Sequence, residues 1–247
     1  MPSALPALDH RHANRPHPEV SIVVPSWNES GTLADLSERI RCVLEASGTA
    51  YELIVVDDGS DDDSEVVLRR LQRKDPRIQP MFLGEHEGKS AALQAGFEAT
   101  RGLWVVCMDA DLQDLPEELP RLLNALQRDG VDMVQTWRKE RKDSWSKVLA
   151  SRVFNLLSWL FSGVRMRDAN CGYKAFRRGS LEYFQLRPGE HRFVPVLAVR
   201  AGLHVVELPV RHARRACGSS RYGLERCARG LGDLLRVVLL PRLTGKM

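Results

Sequence analysis

The sequence predicts an α/β protein, a mostly parallel sheet flanked by helices and followed by a C-terminal amphipathic helix. Three observations predict it. Over the first two-thirds of the 247 residues, short apolar runs alternate with helical patterns, as parallel strands joined by crossovers require. Three of those runs end in polar turns, Pro25-Ser-Trp-Asn-Glu29, Asp57-Asp-Gly-Ser60 and Asp109-Ala-Asp111. From about residue 137 the alternation breaks down.

Val20 to Pro25 reads as the first strand, and Glu29 to Glu45 as a helix with Leu33, Leu36, Ile40 and Leu44 on one face. Glu52 to Asp57 is the second strand, followed by a Gly59/Ser60 turn and a helix through Leu68 and Leu71. Ile78 to Leu83 is the third strand, Lys89 to Thr100 a helix, and Leu103 to Met108 the fourth strand. A helix from Pro116 to Arg128 and a strand from Val131 to Gln135 follow. Beyond them, Ser144 to Phe161 has the pattern of an amphipathic helix and Asn170 to Phe176 that of a turn and strand. Val194 to Arg200 reads as a short helix and Leu203 to Val210 as a strand. An Arg/Gly/Ser loop runs through Tyr222, and Leu224 to Leu240 sets leucines on one side and Arg226, Arg229 and Arg236 on the other.

Composition excludes several classes. With 43% hydrophobic and 28% charged residues the chain is ordinary globular material, and no stretch approaches the roughly 20 apolar residues of a membrane span. Five cysteines lie far apart without a Cys-x-x-Cys pair, against both a disulfide framework and a metal cluster. The net charge of +4 is uneven, with Arg and Lys crowded into residues 138–152 and 211–246. Such clusters suit phosphate or anionic lipid, although a solvated basic face is the ordinary reading. They lack the aromatic interleaving or recognition helix of a nucleic-acid protein, so no nucleic-acid partner is expected. Residues 1–18 read as a disordered leader, rich in His, Arg and Pro with no apolar core of a signal peptide.

The chemistry concentrates at Asp109-Ala-Asp111, two acids where a buried strand stops, followed by Leu112, Gln113 and Asp114. Paired carboxylates facing one cavity are costly unless a cation neutralises them, and a divalent metal holding a phosphate does so. In open α/β sheets ligands bind beyond the carboxyl ends of the strands, where all three polar turns fall. Each turn alone has a plain reading, with Asn28 and Asp61 as helix caps, Gly59 supplying a positive φ and Asp57 ending a strand. Their convergence on one edge is what points to a site.

Together, Val24-Pro-Ser-Trp-Asn-Glu29, Val55-Val-Asp-Asp-Gly-Ser60, Gly88-Lys-Ser-Ala-Ala92, Met108-Asp-Ala-Asp-Leu-Gln-Asp114 and Arg215-Ala-Cys-Gly-Ser-Ser-Arg-Tyr222 resemble the family 2 glycosyltransferases. The likeness is greatest to dolichol-phosphate mannose synthases and bacterial polyprenyl-phosphate glycosyltransferases, and it runs from about Val20 to Tyr222. It implies a Rossmann-like GT-A fold over 19–223, a nucleotide-sugar donor, Mg²⁺ or Mn²⁺, and inverting transfer of a hexose to a polyprenyl or dolichyl phosphate. GDP-mannose and UDP-glucose are the donors expected.

By this resemblance Asp109, Asp111 and Gln113 are metal ligands, with Asp111 at the catalytic centre. Either acid can instead reach the ribose or act through water. Pro25, Trp27, Glu29, Asp57 and Asp58 belong to the donor site, Asp58 accepting a hydrogen bond from base or hydroxyl, and Lys89 meets the nucleotide with a cation. Trp27 stands where the family usually has Tyr, which keeps a stacking face and changes its polar tip. Arg138, Arg152 and Arg215 match phosphate-binding arginines, with Ser151, Asn155 and Arg221 completing the acceptor site. A phosphate acceptor already carries an anionic oxygen, so arginine forks matter more than a general base. Asp168 is a candidate for sugar contact or loop anchoring, and His191 lies at the sugar end. His86 and His212 carry no assignment. Relatives often have C-terminal membrane helices; here the amphipathic segments 144–161 and 224–243, or a separate membrane subunit, would give access to the lipid. The expected location is therefore cytoplasmic, peripheral on the cytosolic face of a membrane, with 224–247 as a membrane- or partner-binding tail. A transferase acting on a saccharide or small hydroxyl acceptor is the alternative.

Overall fold

The computed structural model describes residues 17–139, 159–160, 163–183 and 185–213. The expected tail over 224–247, the leader apart from His17 and Pro18, and the helix of 144–161 apart from Trp159 and Leu160 lie outside them.

Seven strands form one sheet. In chain order these are β1 (Val20–Ser26), β2 (Tyr51–Asp57), β3 (Ile78–Phe82), β4 (Trp104–Cys107), β5 (Met133–Arg138), β6 (Lys174–Arg177) and β7 (Val205–Val210). The spatial order is β3-β2-β1-β4-β6-β5-β7, and only β6 runs antiparallel to its neighbours. The chain builds outward from β1 to β3 and then returns to place β4 on the other side of β1. The topological switch point thus lies between β1 and β4, where open sheets of this kind take their ligands.

The period of two is visible in β1. Val20, Ile22 and Val24 enter a core with Leu33, Leu36, Ile40 and Leu44 of α1 (Leu33–Ala46), Leu68 of α2 (Ser64–Lys74) and Leu119, Leu122 and Leu126 of α4 (Leu119–Leu126). Val23 faces the opposite layer with Leu93 and Phe97 of α3 (Lys89–Glu98) and Val194 and Leu197 of α5 (Val194–Arg200). Two helical layers therefore cover the sheet, and each fully buried aliphatic side chain contributes about 1.5–3 kcal/mol to holding them.

At the edge away from the polar turns, Glu52 is 1% exposed and fully engaged. It accepts hydrogen bonds from Ser21 Oγ (2.6 Å), Gln79 Nε2 (2.9 Å) and the backbone and side chain of Arg101. This network ties β1, β2, β3 and the approach to β4 together.

Several boundaries differ from the periodicity. The first helix begins at Leu33 rather than Glu29, because Asn28 takes a φ of 55° and locks onto Ser60 and Asp61. Pro116–Glu118 forms a separate tight turn before α4, and β5 runs to Arg138, three residues past the expected end. That extension pairs Trp137 and Arg138 with Pro209 and Val210 of β7, a partner that local sequence does not reveal.

Candidate active site at the carboxyl edge of the sheet

The turns after β1 and β2 are interlocked. Asn28 N donates to Ser60 Oγ (2.8 Å), Asp61 N donates to Asn28 Oδ1 (3.0 Å), and Ser60 Oγ donates to Asp57 Oδ1 (2.5 Å). Gly59 takes a φ of 67°, and a Cβ there would come within 2.5 Å of the Glu85 carbonyl carbon. The segment 84–88 therefore lies directly on this turn.

Asp58 binds that segment down. Its Oδ1 accepts from the backbone N–H of Glu87 (2.8 Å) and Gly88 (3.0 Å), while its Oδ2 lies 3.0 Å from His86 Nδ1. The neighbours of Nδ1 are a carboxylate and the Asp58 carbonyl, both acceptors, so this nitrogen carries the proton. The His86 ring stacks on Trp27, centroids 4.0 Å apart and planes 21° from parallel.

The same segment delivers Lys89, whose Nζ pairs with Asp109 Oδ1. Burial is the largest influence on the Asp109 carboxyl and pushes its pKa up, but the Lys89 charge, with Lys174 and His191, outweighs it and holds the group below its ordinary value. Asp114 goes the other way. Burial first, then the charge of Asp109, lift its pKa to about 7, while its Oδ2 accepts from Asp109 N at 3.0 Å. Between them Asp111 is 6% exposed and its Oδ1 accepts from Gln113 N (3.1 Å). Leu112 is held at a φ of 62°, sparsely populated for a residue with a branched side chain, which folds the acidic turn back on itself.

Two segments close on this turn. The exit of β7 lies beside it, with Ala213 N donating to Gln113 O (3.0 Å) and Asp114 bridged to His212. On the other side Gly172 packs against Asp109, where a Cβ would sit 2.6 Å from Oδ1. Four residues earlier, Asp168 accepts from Arg138 Nε (2.7 Å) and Nη2 (3.1 Å) in a forked ion pair, 3% and 17% exposed. One five-residue loop thus touches Arg138 at its start and Asp109 at its end.

Asp57, Asp58, Lys89, Asp109, Asp111 and Gln113 are thereby brought to one edge, with Pro25, Trp27 and Glu29 on the turn beside them. Arg138 is tied to the group through Asp168. Ser151, Arg152, Asn155, Arg215 and Arg221 lie outside the described residues. Three participants carry little sequence signal. His86 was one loop histidine among several, and Asp114 looked like part of an acidic stretch. Lys174, 3% exposed, could have been noticed as a charge inside an apolar strand. Cys107 and Cys171, buried nearby, are inert thiols, since burial pushes their pKa values to about 11 and about 12.

Among the described residues no group of three or more His, Cys, Asp or Glu is arranged to hold a metal. Asp109 and Asp111, two residues apart on one turn with Gln113 beside them, are the acids a metal could use. Such a set fits a hard cation that arrives with a diphosphate, because Mg²⁺ keeps waters and takes one or two carboxylates beside phosphate oxygens.

A family model described as Glycosyl transferase family 2 matches residues 21–184. An undecaprenyl-phosphate 4-deoxy-4-formamido-L-arabinose transferase of Edwardsiella ictaluri is 37% identical over 217 residues, which cover 87% of this chain and 66% of that protein. The protein of the same name from Aeromonas hydrophila is 36% identical, again over 87% of this chain and 66% of the relative. The chain thus spans just under two-thirds of the length of these relatives. Glucosyl-3-phosphoglycerate synthase from Mycobacterium tuberculosis, solved with Mn²⁺, UDP and phosphoglyceric acid, superimposes with a TM-score of 0.68 at 20% identity, over 88% of this chain and 78% of its own. Its structure with Mg²⁺ and UDP gives 0.68 at 20% identity, over 91% and 80%. At that identity the likeness is one of fold, and the fold is GT-A. With the family match running from β1 through the acidic turn and the 168–172 loop, the chain belongs to glycosyl transferase family 2.

Proposed function

We propose that the protein is an inverting glycosyltransferase that moves a sugar from a nucleotide sugar to a polyprenyl or dolichyl phosphate, working on the cytosolic face of a membrane. The observation that carries this is the loop Asp168–Gly172, which holds Arg138 at one end and packs on Asp109 at the other. Four peptide units reach at most about 14 Å, so this loop ties a guanidinium and the acid pair to the same edge of the sheet. A site for two anions, the leaving diphosphate and the attacking phosphate, needs positive charge for each, Arg138 for one and Lys89 with a metal on the acids for the other.

The chain's own residues divide the work. Trp27 and the turn at Asp57–Asp61 frame the nucleoside, while Lys89 exchanges its contact with Asp109 for the diphosphate. A divalent cation on Asp109, Asp111 and Gln113 would act as a Lewis acid, neutralising the leaving group. Arg138, oriented by Asp168 through Nε and one Nη, would bring its positive charge to the acceptor phosphate. That phosphate oxygen forms the new bond to the sugar's anomeric carbon as the bond to the diphosphate breaks on the opposite side, which inverts the centre. No proton need be removed from an oxygen already anionic. By the family resemblance Arg215, with Ser151, Arg152 and Arg221, would complete the acceptor side. Asp168, occupied by a guanidinium, is poorly suited to deprotonate a hydroxyl acceptor, which weighs against transfer to a saccharide.

The names of the relatives support a polyprenyl-phosphate acceptor. No helix among the described residues is long and apolar enough to cross a membrane. The exposed Trp159 (41%) and Leu160 (63%), within the expected amphipathic segment, suit contact with a lipid surface. For the sugar, mannose or glucose is the first reading; the relatives' names favour a second, 4-deoxy-4-formamido-L-arabinose. The test is a screen of radiolabelled nucleotide sugars with polyprenyl phosphate and Mg²⁺ or Mn²⁺, with Asp111→Asn as control. Label in the lipid phase that requires Asp111 supports the reading. Transfer only to a water-soluble hydroxyl acceptor would sink it.

A further inference from the structure

A cavity of about 20 Å³ is lined by Lys89 and Gly172, both of which meet Asp109, and by Asn170, Lys174, His191 and Phe176 among others. A space of this size admits one water or a group as small as a hydroxyl or formyl, since roughly 10–15 Å³ is enough for a water. Its polar wall is incomplete. Lys174, 3% exposed, has three donors and makes one hydrogen bond among the described residues, to Cys171 O. The Asn170 Oδ1 atom is buried with no hydrogen-bond partner among them. Lys89 is matched by Asp109, whereas Lys174 has no carboxylate partner among the described residues. His191 is held in place at 2.8 Å from Ser90 Oγ.

We infer that Lys174 and Asn170 determine sugar specificity, reading a substituent of the donor sugar that both accepts and donates a hydrogen bond, a hydroxyl or a formamide, and rejecting a cationic amine at that position. The inference rests on the glycosyltransferase reading. An oxygen of the substituent accepts from Lys174 Nζ, and its O–H or N–H donates to Asn170 Oδ1, so two buried polar groups are completed by one ligand group. An ammonium satisfies only Asn170 and sets its charge against the buried Lys174. The sugar is the part of the donor concerned because two lining residues, Lys89 and Gly172, meet Asp109, where the diphosphate is proposed to leave, and the sugar is bonded directly to that diphosphate.

The test compares kcat/KM for wild type, Lys174→Met and Asn170→Ser on UDP-glucose, UDP-4-deoxy-4-formamido-L-arabinose and UDP-4-amino-4-deoxy-L-arabinose. Calorimetric UDP binding reports on the nucleotide site separately. Wild type is expected to use the hydroxyl or the formamide donor, the better of the two naming the substituent, and to disfavour the amine. Lys174→Met should lower kcat/KM on the preferred donor about 10- to 100-fold and narrow the gap to the amine, with UDP affinity within about twofold. If Lys174→Met does not fold, Asn170→Ser carries the same comparison. Wild-type donor ratios in a folded variant overturn the inference while leaving the glycosyltransferase reading intact. Wild type that binds UDP and transfers none of the sugars of the wider screen overturns that reading, and this inference with it.

Discussion

The Lys89 ammonium is paired with the Asp109 carboxylate, so the cation proposed for the donor and one of the acids proposed for the metal hold each other. In the proposed site this pair opens so that a nucleotide with its cation takes both partners. Lys89→Met is therefore expected to raise the donor KM by about tenfold or more, the loss of a charge-assisted contact. Asp111→Asn, with its turn geometry preserved, should lower kcat about 100-fold or more, as removal of leaving-group stabilisation does. Initial rates at varied donor concentration separate the two effects.

Arg138 and Asp168 act as one unit. Replacing Arg138 with Lys keeps the charge and loses the fork, and replacing Asp168 with Asn keeps the shape and loses the anchor. Both are expected to raise the KM for polyprenyl phosphate, about 10- to 100-fold, with the donor KM little changed. An equal rise in both constants would move Arg138 to the donor side.

His86 covers one face of Trp27. His86→Ala uncovers it, and the expected outcome is a change in Trp27 emission together with a shift in UDP affinity. Trp27→Ala should remove the emission response. An unaltered UDP affinity in both variants would place the nucleobase elsewhere.

Glu52 lies far from this chemistry, and its removal tests the frame. Glu52→Ala strands Arg101, Ser21 and Gln79 donors at the base of the sheet, a loss of about 3–5 kcal/mol for a broken buried pair. In a domain of this size each kcal/mol lowers Tm by about 2–4 °C. Calorimetry should show that drop while activity at low temperature stays near wild type.

Asp75 gives the pH dependence a sign. Burial pushes its pKa up, but the hydrogen bonds and charge of Arg77 outweigh this and hold it below its ordinary value. A carboxyl with a lowered folded pKa stabilises above its unfolded value, and the contribution disappears as pH falls through the folded one. Asp75→Asn should accordingly be less stable than wild type at pH 7, with the difference shrinking as pH falls below about 4. Urea melts at pH 7, 5 and 3 measure it.

Much of the site was legible because its acids sit at strand ends, where a break in apolar periodicity marks them, and its lysine opens the helix after β3. Asp57 and Asp109 could be assigned to one edge because each stands where a strand ends, and Lys89 joined them through the family resemblance. Asp168 could not, since a lone Asp before a turn is ordinary and its partner lies 30 residues away. Lys174 and Asn170 were hidden for a related reason. Their meaning depends on which polar atoms remain unspent after β6 has inserted between β4 and β5.

By itself the sequence determined the alternation of strands and helices, the family resemblance and the composition of the acidic turn, because periodicity, turn chemistry and motif spacing are local properties of the chain. The tertiary structure decided which charges face one another: Lys89 on Asp109, Arg138 on Asp168, His86 between Asp58 and Trp27. Those pairings depend on the antiparallel entry of β6, the extension of β5 along β7 and the close approach of Gly172 to Asp109. Electrostatic energy depends on distance and burial, and both are fixed only when segments remote in sequence pack together.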